Sequence, residues 1–168
     1  MGDRIIKVNH AGEHGAIQIY SAQMFMARLT AAHMLDELAD FREHERRHRS
    51  IFAAELQRRR RPRCRSYWLC GAGGYGLGLI TGLLGGSAIA ATTVAIERVV
   101  LAHLEKQLNV LKGKDPEAVA AIAAVVDEER EHHDRSARRV RPGTFWQKAL
   151  TPVVSASTEA VIWLGMRL

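Results

Sequence analysis

A chain of 168 residues with 47% hydrophobic side chains fits one domain with a sizeable core, residues 1–168 taken together. Two cysteines, Cys64 and Cys70, exclude a disulfide-stapled scaffold and point to a reducing compartment. The net charge is +6, and Arg58, Arg59, Arg60, Arg61, Arg63 and Arg65 concentrate it around Pro62. Period-two runs of β-branched residues are scarce, so the class is all-α. Met1–Ile6 carries neither a signal-peptide pattern nor a myristoylation motif.

In chain order, the periodicity predicts a first helix over about 5–29 and a second over about 34–58. Residues 59–86 form a long crossover, a third helix covers about 87–111, and Gly113 ends it. Asp115 caps a fourth helix that begins with Pro116. Arg141-Pro142-Gly143 breaks the pattern before an apolar last segment over 145–168 that packs on the bundle or dips into lipid. The stretch Ser66–Ile96 has no charged residue and exceeds the roughly 20 residues that span a bilayer. Eight glycines between Gly71 and Gly86 argue against one continuous spanning helix. A basic cluster beside an apolar stretch, with Tyr67 and Trp68 at the junction, fits a segment lying in the membrane interface. Arg58, Arg59, Arg60, Arg61 and Trp68 would touch the membrane, and Gly82 and Gly85 would line a lipid's path inward.

The helices carry a repeat. Glu45-x-x-His48 follows Glu13 by 32 residues, Glu129-x-x-His132 follows Glu97 by 32, and the second set lies 84 residues beyond the first. Residues 3, 4, 7 and 8 apart share a helix face. Glu13 then shares one with Ile6, Ile17 and Tyr20; Glu45 and His48 with Leu38, Phe41, Phe52 and Leu56. Glu97 shares one with Ala90, Val94, Leu101 and Leu104, and Glu129 and His132 with Ile122, Val125 and Val126. Four carboxylates on apolar faces need compensation, because burying one unpaired costs several kcal/mol. Two divalent ions supply it. A lone Glu and a Glu-x-x-His from each of two hairpins is the ligand set of a two-metal centre in a ferritin-like four-helix bundle. With four carboxylates and two imidazoles the site is hard and oxygen-rich, suited to iron or manganese.

His10, His14, His33 and His44 lack this offset and read as surface or capping residues. His133 lies one position from His132 but does not repeat the three-residue offset. His103 and Tyr20 could reach the cavity, and Glu128, Asp127 and Asp134 could orient ligand imidazoles.

The chain resembles the demethoxyubiquinone hydroxylases of ubiquinone biosynthesis over nearly its whole length. The resemblance rests on Val8-Asn9-His10-Ala11-Gly12-Glu13, Ile19-Tyr20 with Gln23, Arg61-Pro62, Thr93-Val94-Ala95-Ile96-Glu97 and Asp127-Glu128-Glu129-Arg130-Glu131-His132-His133-Asp134. It implies the same six ligands, two iron ions, dioxygen as co-substrate and an external reductant such as NADH. It also implies hydroxylation of the ring of a polyprenylated methoxy-methyl-benzoquinol. The expected setting is the cytoplasmic side of an inner membrane, or the mitochondrial matrix side, with the protein held peripherally. A lipid-presenting accessory protein or a second copy would be the partner; nucleic acid would not. Three departures stand out: His14 where the family often has Tyr, Leu104 where an aromatic is usual, and Cys64-Arg65-Ser66-Tyr67-Trp68 after Arg61-Pro62. Competing readings are a tRNA-modifying di-iron hydroxylase, a ferroxidase or iron-storage protein, and a non-enzymatic membrane-binding helical protein.

Overall fold

The computed structural model describes residues 1–140 and 143–168, so Arg141 and Pro142 of the expected break lie outside the described residues. Among the described residues are six α-helices: α1 Gly2–Thr30, α2 Leu35–Arg58, α3 Tyr67–Leu83, α4 Gly86–Leu111, α5 Pro116–Arg139 and α6 Phe145–Gly165. The fold is all-α and ferritin-like. A single 3-10 turn, Ala32–Met34, closes the α1–α2 hairpin. At the α4–α5 corner Asp115 caps as expected, accepting from the Ala118 amide at 3.2 Å, and Pro116 occupies the first turn where its missing N–H costs nothing. The two hairpins face each other through α2 with α5 and α1 with α4, while α3 lies along α1 and α6 along α4.

Two apolar clusters close the ends of the bundle. Ile6, Phe52, Leu56, Leu104, Ile122 and Val125 fill one end; Ala27, Met34, Leu38, Phe41 and Ile89 fill the other. The predicted apolar faces are therefore the buried ones, with Val94 and Leu101 half-buried. The ligand candidates sit between the clusters, midway along each helix. Burial of each large core side chain contributes roughly 1.5–3 kcal/mol, which offsets the polar layer held between them.

Within the crossover, Tyr67–Leu83 is an α-helix despite its glycines, and the break before α4 falls at Leu84 and Gly85, so the uncharged stretch is two helices rather than one. Gly71, Gly74, Gly78 and Gly82 recur at three- and four-residue spacing and form a seam against α1. A Cβ at Gly74 or Gly78 would collide with the carbonyl oxygens of Gly15 or Ile19, and one at Gly82 would meet Met26 Cβ at 2.9 Å. The glycines thus allow two backbones to approach closely. Gly85 precedes α4 with φ of 90°, the left-handed region that favours glycine. By length and composition α4 could cross a membrane, but 56% of its most apolar window is buried in the bundle.

The arginine cluster is also partly occupied. Arg59 bridges Glu55, Asp3 and Asp115, Arg58 pairs with Glu55 at 2.8 Å, and Arg61 reaches Asp3 at 2.5 Å. Arg59 and Arg61 tie the end of α2 to the start of α1, Arg59 also reaches the α5 cap, and Arg58 pairs within α2. Arg60 and Arg65 are exposed, and Arg63 lies over the Tyr67 and Trp68 rings at 5.0 Å from each centroid.

Candidate metal centre

α1 brings Glu13, α2 brings Glu45 and His48, α4 brings Glu97, and α5 brings Glu129 and His132 to one point in the bundle. All six are at least nine-tenths buried. Donor atoms of Glu13, Glu45, His48 and Glu129 lie within 4.8 Å of one another, and so do those of Glu45, Glu97, Glu129 and His132. Glu45 and Glu129 belong to both groups. Glu13 with His48 marks one end of the cluster, and Glu97 with His132 marks the other.

Both imidazoles turn Nδ1 inward. His48 Nδ1 lies 3.0 Å from Glu129 Oε1, and His132 Nδ1 lies 3.2 Å from Glu45 Oε1. The second contact is close but misaligned: His132 Nδ1 and both Glu45 carboxylate oxygens are buried without a hydrogen-bond partner. Buried polar atoms left unpaired in a native core call for a further partner.

The electrostatics show how the cluster stays neutral with protein groups alone. Burial, then the charges of Glu45 and Glu129, push Glu13 well up. Burial, then Glu129 and Glu45, do the same for Glu97. Burial also acts on Glu45 and Glu129, but the His132 and His48 imidazoles outweigh it and hold both carboxyls below the usual range. Burial opposes charge on the imidazoles, yet the same carboxylates raise His48 to about 10 and His132 to about 9. These shifts favour charge on Glu45, Glu129 and both imidazoles, and protons on Glu13 and Glu97. Replacing the four protons by two divalent ions preserves neutrality with all four carboxylates ionised. The donor set, its orphaned atoms and this balance fit a pair of divalent metal ions.

The surrounding residues divide. Tyr20 donates its hydroxyl to Glu97 Oε1 at 2.9 Å, and burial raises its own pKa. Glu128 lies behind His48, 2.8 Å from Nε2. Asp134 is exposed beside His133 and touches neither ligand imidazole; Asp127 is exposed and pairs with Arg130. His103 lines the cavity, its Nε2 2.8 Å from Glu159 Oε2 on α6. Three histidines read as surface groups are not. His10 and His14 are buried, stacked on Tyr67 with centroids 5.0 and 4.1 Å away, and His44 Nδ1 lies 3.0 Å from His132 Nε2. His33 is exposed as expected. The i, i+4 spacing of His10 and His14 against an aromatic helix start was the available signal for that pair. For His44 the signal was its place three residues after Phe41 and four before His48.

A cavity of 440 Å³ opens from this cluster to the surface. Glu13, Glu45, Glu97 and Glu129 form its floor. Leu69, Gly73, Leu77 and Ile80 of α3 and Thr158, Val161 and Ile162 of α6 form its walls and mouth. Asn9 and Gln107 pair their amides across it, each donating to the other at 2.8 and 3.1 Å. Gly82 and Gly85 are absent from the lining; Gly73 and Gly74 are the α3 glycines that contribute, beside Gly12 and Gly15 of α1.

Bundle, cluster and cavity define a carboxylate-rich ferritin-like protein with an apolar route to a buried polar centre. Residues 1–165 match the family model of the ubiquinone biosynthesis protein COQ7, and the chain belongs to that family. It is 33% identical to a Dictyostelium discoideum protein named NADPH-dependent 3-demethoxyubiquinone 3-hydroxylase, mitochondrial, over 99% of this chain and 77% of the relative. The Bos taurus protein of the same name is 32% identical over 99% and 77%. A Rhodospirillum rubrum protein named 3-demethoxyubiquinol 3-hydroxylase is 31% identical over 99% and 78%.

Proposed function

We propose that this chain, acting as one domain, is a di-iron monooxygenase that hydroxylates the ring of a polyprenylated methoxy-methyl-benzoquinol in ubiquinone biosynthesis. The family and the relatives' names support the reaction. The observation that carries the assignment on this chain is the cavity, which joins a floor of metal-ligating carboxylates to a mouth between two apolar helices. Glu13, Glu45, His48, Glu97, Glu129 and His132 would hold the two ions, with Glu45 and Glu129 shared between them. Bound reduced iron supplies the activation of dioxygen that ring hydroxylation requires.

The chain's own residues bind, orient and exclude water. Leu69, Leu77, Val161 and Ile162 shed water from an isoprenoid tail and place the ring at the floor. Tyr20 fixes Glu97 through its hydroxyl, so that carboxylate keeps one orientation. The Asn9–Gln107 pair offers amide groups in a largely apolar wall, where a quinol oxygen would find a partner. The external reductant is a nicotinamide, and the mitochondrial relatives are named for NADPH.

The membrane side is the α3–α6 layer. Leu69, Ile80 and Val161, which line the cavity, and Trp68, Leu83, Val153 and Trp163 of the same two helices expose apolar surface. Arg63 over Trp68 and Arg167 over Trp163 (3.6 Å) put a cation on an exposed indole in each helix, a pairing suited to the headgroup level. The protein would sit peripherally on an inner membrane, facing the cytoplasm or matrix. Oxygen-dependent conversion of a demethoxyubiquinol analogue by iron-loaded, reduced protein tests the reading. Gly73→Trp, which places an indole in the wall at an uncrowded position, should stop turnover of long-tailed substrate without changing metal content. No product from the loaded wild-type protein would contradict it.

A further inference from the structure

The two ligand imidazoles present the same nitrogen inward but lean on different groups. His48 Nε2 meets the Glu128 carboxylate, which Arg47 holds from the other side at 2.8 Å. His132 Nε2 meets a second imidazole, His44 Nδ1, at 3.0 Å, the rings 5.1 Å apart and 23° from parallel. Metals take the unprotonated nitrogen of a neutral imidazole, so inward Nδ1 coordination leaves the hydrogen on Nε2. His132 Nε2–H then requires an acceptor, and His44 Nδ1 stands there.

With Nδ1 accepting, the hydrogen of His44 lies on Nε2, which faces Asp40 Oδ1 at 3.5 Å. Asp40 Oδ2 in turn accepts from Arg135 at 2.6 Å. The Arg135 guanidinium covers the Phe41 ring at 4.7 Å, and Phe41 packs on His132 with centroids 4.4 Å apart. Donation runs from His132 through His44 to Asp40, where Arg135 donates from the other side, and the chain of contacts closes on itself.

We propose that His44 is a positioning residue for His132: it accepts the Nε2 hydrogen, fixes the tautomer and aims Nδ1 into the cluster, with Asp40 and Arg135 holding it in place. This rests on the metal-centre reading above. It also makes the halves of the centre unequal. A carboxylate acceptor raises the basicity of its imidazole more than a neutral one does, so the ion at the His48 end binds more tightly than the ion at the His132 end.

The test is anaerobic calorimetric titration of metal-free protein with Fe(II), and separately Mn(II), for wild type, His44→Leu, His44→Gln and Glu128→Gln. Melting temperatures of the metal-free forms report folding, and His44→Asn, too short to reach Nε2, serves as a second disruptive variant. Wild type should bind two ions with unequal affinities. His44→Leu and His44→Asn should weaken the looser ion by about 10–100-fold and leave the tighter one close to wild type. His44→Gln, whose Oε1 can accept the same hydrogen, should recover most of the loss, and Glu128→Gln should weaken the tighter ion instead. Unchanged affinities in the leucine and asparagine variants, or a glutamine variant no better than leucine, would overturn the positioning role alone. A wild-type protein that binds neither ion would overturn the metal centre and His44's role with it.

Discussion

The hairpins α1–α2 and α4–α5 repeat one ligand spacing, yet each is dressed differently. α3 is sewn onto α1 by four glycines, whereas α6 buries only Val154 and Gly165 and reaches α4 through polar links such as Arg98 to Ser155 and His103 to Glu159. His48 leans on a carboxylate, His132 on an imidazole. Ligand geometry follows from residue spacing within single helices, so a repeat conserves it. What surrounds the ligands follows from contacts between helices, and there the halves have diverged.

The largest effects should come from the residues the halves share. Glu45→Ala removes a carboxylate common to both ligand groups and should abolish retention of both ions, while Glu13→Ala should spare the ion at the Glu97 and His132 end. Metal analysis after desalting measures this, and equal losses in the two variants would remove the distinction between shared and terminal ligands.

Next in size is the α1–α3 seam. Gly74→Ala places a methyl group against the Gly15 carbonyl, and overpacking of this kind costs about 1–3 kcal/mol. Gly73→Ala, one residue away with open space at its Cβ, should stabilise by about 0.4–1 kcal/mol. Denaturant unfolding of the pair decides whether the glycines serve packing or merely loosen the helix. Similar shifts of one sign would refute the seam.

Much of this was legible in the sequence. The six converging residues follow from Glu13, Glu97 and the two Glu-x-x-His motifs, because intra-helix spacing fixes which side chains share a face. The Asp115-Pro116 start was equally local. Gly71, Gly74, Gly78 and Gly82 carried a readable period, but the same glycines also argue against a helix until a partner backbone is known. The occupied state of Arg59 and Arg61 depends on Asp3 and Asp115, remote in sequence, and spacing could not show it. His44 has no repeat partner to mark it, because a residue that supports a ligand need not repeat.

A smaller effect concerns pH. In metal-free protein, His48 and His132 have folded pKa values raised to about 10 and about 9, so the stability they contribute is full below their unfolded value near 6.5 and is lost as pH rises through 9 and 10. Glu13 and Glu97 are raised as well, so their contribution also declines above the unfolded carboxyl value of 4.5. Glu45 and Glu129, held low, contribute above that value and lose their share only as pH falls below it. The melting temperature of the metal-free protein should therefore fall between about pH 6 and pH 9, while that of the metal-loaded protein should fall less. Parallel pH profiles would contradict this assignment of protons.

In the proposed centre two divalent ions take the place of four protons in one buried cluster. Calorimetric titration of metal-free protein with Fe(II) near pH 7, repeated in buffers of different ionisation enthalpy, counts ions bound and protons released together. Two ions and roughly four protons are expected, two from His48 and His132 and two from Glu13 and Glu97. A single ion, or two ions bound with no net proton release, would contradict it.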